Sequence, residues 1–427
     1  MQNYDIQRNK VILTKNLEFF IHTLPNGIRC ILRRIDSPVA YCAVTVDAGS
    51  RDELPSEHGL AHFTEHSLFK GTRRRKAWHI NNRLEKLGGE LNAFTSKEET
   101  VVHATCLCGD LPKAAELISD VLFNSVFPAR EIEKEREVVL EEIGYYKDSP
   151  GERIYDEFED MLFAGSSIGH NILGDEASVE GFTCERIAGF VGRCYNTDRM
   201  IFSVAASMTE KSFVKLCEYA FGEKPLRPRA FVREAPPVVE PFVRSADRGT
   251  HQAHCIVGGR AYDAHDRRRT ALSLLINILG GPAANSLLNT TLREKYGYTY
   301  NIEASYTPYC DTGAAAIYFS CEKDKAARCV ELVHRVLDRL KKRELSGRQL
   351  AQAQKQYIGQ ISIAMENRES YMLGAAKSLL VYDKVDSAEE IYRKLSAITA
   401  KEVIEAANDI FTDTSSLLFN GGSKYAE

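Results

Sequence analysis

The feature that most constrains this chain is an internal repeat. Ala114-Ala-Glu-Leu-Ile-Ser-Asp-Val-Leu122 recurs as Cys329-Val-Glu-Leu-Val-His-Arg-Val-Leu337, an offset of 215, and at that offset Ile143-Gly144 meets Ile358-Gly359. Cys42-Ala-Val44 meets Cys255-Ile-Val257 at an offset of 213. With 427 residues the chain exceeds one ordinary core and suits two domains of about 200 residues each. The expectation is a duplicated α/β unit: residues 1–223, a Pro- and Arg-rich linker at 224–237, and a second copy at 238–427.

Local patterns fill in the first copy. Phe19 to His22, Ile28 to Leu32 and Ala40 to Val46 read as strands, with a turn at Leu24-Pro25-Asn26-Gly27. Ala77 to Leu87 reads as a helix ending at Gly88-Gly89. Glu90 to Ser96 and Thr100 to Leu107 read as a hairpin, and Leu111 to Asn124 as an amphipathic helix. Ala129 to about Tyr146 is a long helix on which Glu135, Val138 and Glu142 form one stripe beside Val139 and Ile143. Two carboxylates bordering an apolar face want a cationic partner, and a metal is the most economical one.

The chemistry concentrates in His58-Gly-Leu-Ala-His62-Phe-Thr-Glu65-His66. On a helix, His62 and His66 project from one face a turn apart, as two ligands of a single metal require. Glu65 falls beside them, where a carboxylate reaches water at the metal without ligating the metal. This is His-Glu-x-x-His reversed, the inverzincin motif. Carried through the repeat, the histidines fall near Leu275 and Leu279 and Glu142 falls on Tyr357, so only the first copy has residue types able to ligate.

Net charge −4 argues against a nucleic-acid partner, and the basic run Arg73-Arg74-Arg75-Lys76 reads as a solvated face. The first eight residues lack the apolar core of a signal peptide, and no stretch is long and apolar enough for a membrane span. Eleven cysteines, an odd and scattered set, fit reduced thiols and a cytoplasmic address.

With these motifs in hand, the sequence resembles the pitrilysin family of zinc peptidases over nearly its whole length. Seventy-five residues separate His66 from Glu142, as the family pattern has it. Gly59-Leu-Ala, Phe69-Lys-Gly-Thr72 and Asn92-Ala-Phe-Thr-Ser96 also match, with Thr64 standing where leucine is common. In the second half, Gly280-Gly-Pro-Ala-Ala-Asn-Ser-Leu-Leu288 and Leu292-Arg293-Glu-Lys-Tyr-Gly-Tyr-Thr-Tyr300 look like the family's glycine-rich loop and Arg/Tyr segment, Pro282 interrupting the glycine run.

The resemblance implies an α+β fold of two homologous domains, each a mixed, mostly antiparallel sheet packed with helices in a half-clamshell. It implies Zn2+ held by His62, His66 and Glu142, with Glu65 as general base and Glu135 supporting the site. Substrate peptide would lie along Leu91, Asn92, Ala93, Phe94 and Thr95. Arg293 and Tyr300 would bind substrate, and in a homodimer would serve the zinc of the other chain. The expected activity is hydrolysis of unfolded peptides. Processing of one leader or precursor is the alternative, and a non-catalytic assembly subunit a further one.

Overall fold

The computed structural model describes residues 18–420; the first eight residues, on which the expectation of no leader rests, lie outside them. The first copy runs β1 (Phe19–Thr23), β2 (Arg29–Arg34), β3 (Val39–Val46), α1 (Leu60–Leu68), α2 (Ala77–Glu85), β4 (Glu90–Thr95) and β5 (Thr100–Leu107). It continues with α3 (Leu111–Asn124), α4 (Ala129–Lys147), α5 (Pro150–Leu162), α6 (Glu176–Glu180), α7 (Cys184–Cys194), β6 (Met200–Ala206) and α8 (Glu210–Phe221). The second copy has β7 (Val243–Asp247), β8 (Ala253–Arg260), α9 (Arg269–Gly280), β9 (Asn301–Pro308), β10 (Gly313–Cys321), α10 (Ala326–Lys342) and α11 (Gly347–Ala364). Then come α12 (Arg368–Tyr382), α13 (Ala388–Ser396), α14 (Ala400–Phe411) and β11 (Ser415–Asn420).

The repeat is visible in the strand order. The first sheet runs β1-β2-β6-β3-β5-β4 and the second β7-β11-β8-β10-β9. Setting β1 aside, the two orders coincide, including the one parallel pair in each, β2 with β6 and β7 with β11. The register follows too: Cys42 stands opposite Ala104 and Val204, and Cys255 opposite Phe319 and Leu418. Both sheets are mixed and mostly antiparallel, and helices cover them, an α+β architecture. Val138 departs from the expected stripe on α4: it is half exposed, while Val139 and Ile143 are buried.

Each copy lends a helix to the other. Strand β6 is buried at every position, because the first sheet packs on its own helices on one face and on α12 of the second copy on the other. Ala375, Ala376, Leu379 and Leu380 of α12 lie against Phe19, Ile31 and Ile201. In return, Ile154, Phe158 and Leu162 of α5 cover Ile256, Tyr318, Leu417 and Phe419 of the second sheet. Burying an aliphatic or phenyl side chain contributes about 1.5–3 kcal/mol, so each exchanged helix binds the halves firmly.

The Pro- and Arg-rich segment is irregular from residue 225 to 242 but tied down. Arg229 and Arg233 pair with Asp47 at 2.9 and 2.8 Å, and Arg233 also reaches Asp52 at 2.7 Å. The run 73–76 is not wholly solvated either. Arg75 is bound to Glu116 at 2.9 Å and Asp120 at 2.5 Å, both on α3.

Candidate metal centre

Helix α1 packs against α4 and against β4, the strand at one edge of the first sheet. Every residue of α1 except His66 is buried, so its place is set by packing through Leu60, Ala61, Phe63 and Leu68. His62 and His66 stack edge to face with ring centroids 4.6 Å apart. From α4, Glu142 Oε2 stands 3.7 Å from His62 Nε2 and 3.6 Å from His66 Nε2. These gaps are too long for hydrogen bonds. They suit ligands sharing one ion, since two donors each about 2.1 Å from zinc at a tetrahedral angle stand roughly 3.4 Å apart.

One ligand atom from each of His62, His66 and Glu142 lies within 4.8 Å of the others. His62 Nδ1 is buried without a hydrogen-bond partner, so this imidazole is held by packing and not by a bond of its own. Two imidazoles and a carboxylate converging without bonding one another are a donor set for a divalent cation such as zinc. The residues fit the metal.

The electrostatics of the two histidines differ. Burial, with His66 adding to it, pulls the His62 imidazole down to about 3, which keeps it neutral and its lone pair free. Burial also lowers the His66 imidazolium, but the Glu135 hydrogen bond and the carboxylates of Glu65, Glu135 and Glu142 outweigh it and the net shift is upward. Glu135 Oε1 lies 2.8 Å from His66 Nδ1 and its Oε2 lies 2.5 Å from Lys70 Nζ. Burial raises that carboxyl, and the His66 and Lys70 bonds more than offset it, leaving it below its ordinary value. Lys70 has no role in the sequence reading, although its place four residues after His66 puts both on one side of the chain.

Glu65 is buried, and burial pushes its carboxyl above the ordinary range against the opposing pull of His66 and of Thr95. Thr95 Oγ1 donates to Glu65 Oε2 at 3.2 Å. Thr95 ends β4, which pairs only with β5 and is the sheet's edge. Along β4, Leu91, Ala93 and Thr95 alternate with the more exposed Glu90, Asn92 and Phe94. His62, Glu65, His66, Glu135, Glu142 and the end of the edge strand are therefore brought together.

Arg293 and Tyr300 are not joined to that group. Arg293 lies on a π-helical turn, Asn289–Lys295, half exposed, with Glu294 at 3.9 Å as its ion-pair partner. Tyr300 precedes β9 and is 87% exposed. Among the described residues, no hydrogen bond or ion pair links either to His62, Glu65, His66 or Glu142.

Comparison with known proteins identifies the family. Residues 29–176 match the family model described as Insulinase (Peptidase family M16), and residues 181–357 match Peptidase M16 inactive domain. An uncharacterized zinc protease of Bacillus subtilis, YmxG, is 30% identical over 92% of this chain and 95% of its own length. An uncharacterized zinc protease of Mycobacterium tuberculosis is 32% identical over 91% of this chain and 90% of its own. Among solved structures, a peptidase M16 inactive domain from Pseudomonas fluorescens superposes with a TM-score of 0.88 at 19% identity, covering 96% of this chain and all of that one. A protease from Helicobacter pylori gives 0.85 at 21%, covering 94% and 99%. The chain belongs to peptidase family M16.

Proposed function

We propose that this chain is a zinc-dependent endopeptidase acting on unfolded peptides. The observation that carries the reading is the convergence of His62, His66 and Glu142 beside Glu65, which is itself hydrogen-bonded to the end of an exposed edge strand. Zinc held there supplies the Lewis acidity that polarises a carbonyl and makes water nucleophilic near neutral pH.

The chain's residues supply the rest. Glu65 takes the proton of the attacking water and delivers it to the leaving amine; its burial-raised pKa suits both halves of that task. Thr95 holds one Glu65 oxygen in place. Glu135 accepts the Nδ1–H of His66, leaving Nε2 to ligate, and Lys70 steadies Glu135. The free edge of β4 takes an extended peptide through main-chain hydrogen bonds, which favours unfolded substrates and tolerates many sequences.

Arg293 and Tyr300 act across a homodimer, where they would bind a substrate carbonyl in the partner's site and donate to it as it takes on negative charge. Their exposure, away from bonds to their own chain's site, supports that assignment. All eleven cysteines are free, in keeping with a reducing cytoplasm. No helix among the described residues is long and apolar enough to cross a membrane.

The test is cleavage of a quenched, unstructured peptide of about 15 residues, long enough to span an edge strand of ordinary length. The native chain turns it over, and Glu65→Gln at equal zinc content loses roughly 10²–10⁴-fold in kcat. Equal turnover by both removes Glu65 as base, and no turnover by the native chain removes the reading. Mixing Glu65→Gln with Arg293→Ala restores part of the activity; a verified mixed dimer without rescue rules out the shared site.

A further inference from the structure

The helix that carries His62 and His66 begins without a side-chain cap of its own. Its N-cap residue is Gly59, at φ 90°, where a Cβ would lie 2.6 Å from Leu173 O and 2.7 Å from Gly174 Cα. Only glycine fits, and glycine has no side chain to accept the first-turn N–H groups. Glu53, six residues earlier and itself buried, supplies what is missing. Its Oε2 accepts from Gly59 N at 3.0 Å and its Oε1 from Ala61 N at 2.7 Å.

We propose that Glu53 is a positioning residue of the metal site, its carboxylate fixing the height and rotation of α1 and so of His62, Glu65 and His66. Ala61 is the residue immediately before His62, so the bond to its N–H acts one peptide away from the first ligand. The inference rests on the reading of His62, His66 and Glu142 as a zinc site.

The second copy gives an independent contrast. Thirteen residues, 47–59, lead from β3 to α1, whereas eight, 261–268, lead from β8 to α9. At the start of α9 the Asp266 carboxylate accepts the N–H of the N-cap residue Arg268 at 2.8 Å and also holds the Arg268 guanidinium, but it makes no bond to an N–H inside the helix such as Glu53 makes to Ala61. The difference in loop length arises because α9 is helical from Arg269, a turn before the position matching the start of α1, and what the copy without ligands lacks is the second bond, to an N–H within the helix. A bond to the N-cap N–H suffices to start α9, whereas α1, whose rotation has to be exact to fractions of an ångström for ligation, is also held within its first turn through Ala61.

The test measures zinc affinity by competition with a chromophoric chelator, alongside the absorption spectrum of the cobalt-substituted protein. Glu53→Ala is expected to weaken zinc binding about 10- to 100-fold and to shift the cobalt bands. It should also lower kcat with little change in KM, because β4 is untouched. Glu53→Asp, too short to reach both N–H groups, gives a smaller change in the same direction and serves where the alanine variant does not fold. Glu57→Gln is the control. Glu57 lies in the same loop and pairs with Arg193, and its side chain does not touch the N–H groups of α1.

Native-like zinc affinity and cobalt spectrum in a folded Glu53 variant overturn the proposal, as does an equal loss in Glu57→Gln. The outcomes separate from those for function. A chain that binds zinc in a Glu53-dependent way yet cleaves nothing keeps this inference and loses the peptidase reading. A chain that cleaves peptide with zinc affinity indifferent to Glu53 does the reverse.

Discussion

Helices α1 and α9 hold corresponding places in two sheets of the same strand order, yet they present opposite chemistry. Where α1 carries His62 and His66, α9 carries Leu275 and Leu279, both fully buried. Where α4 carries Glu142, α11 carries Tyr357, packed against the second core. The second copy shows what this architecture does when only packing is asked of it. A buried leucine contributes about 1.5–3 kcal/mol, whereas an imidazole nitrogen buried without a partner costs about 1–3 kcal/mol. The fold does not need the polar set in the first copy. A ligand does.

The largest effect that separates the copies comes from giving the scaffold copy a ligand-type group. Leu279→Glu places a carboxyl in a dry core with no histidines beside it, and should destabilise the chain by more than about 3 kcal/mol without binding additional zinc. Urea unfolding measures this. A loss below about 0.5 kcal/mol, within the range of an ordinary surface substitution, would mean that the two cores tolerate charge alike and that the comparison says nothing about ligation.

A smaller effect, of opposite sign, is expected in the first copy. In the metal-free chain His62→Leu removes an orphaned buried nitrogen and should stabilise by about 1 kcal/mol at neutral pH. It should also flatten the acid side of the stability profile. Unfolded His62 titrates near its ordinary value of 6.5 and folded His62 near about 3. As the pH falls from 6.5 toward 3, the unfolded chain takes a proton that the folded chain refuses. Stability is therefore lost across that window, by up to about 1.4 kcal/mol per pH unit from this group. The native chain minus the variant should show that slope; parallel profiles would mean that burial does not hold His62 neutral.

Much of this was legible in the sequence because it is periodic or local. The repeat at 213–215 anticipated the common strand order, since strand spacing and helix length are fixed by the same apolar periods in both copies. The four-residue spacing of His62 and His66 anticipated their shared helix face, and the spacing of Glu135 and Glu142 their common side of α4. What was not legible depends on groups distant in sequence. Glu53 stands six residues before Gly59, but the need for it follows from Leu173 and Gly174, which leave room only for glycine at the N-cap. The exchange of α5 and α12 between the copies leaves no periodic trace beyond their apolar faces. Val138 looked like part of an apolar stripe but is half exposed, the buried positions beside the carboxylates being Val139 and Ile143. Arg229 and Arg233 read as linker composition, while the acids that hold them, Asp47 and Asp52, stand some 180 residues earlier.

The central claim, that one metal is bound per chain and in the first copy alone, is tested most directly by zinc content after dialysis. The native chain should carry one equivalent. Glu142→Ala should carry close to none, while remaining folded because Glu142 is half exposed and holds no core together. Glu135→Ala should retain zinc with affinity reduced about 10- to 100-fold, as befits a group that orients His66 from behind. Full zinc in Glu142→Ala, or a second equivalent in the native chain, would contradict the account.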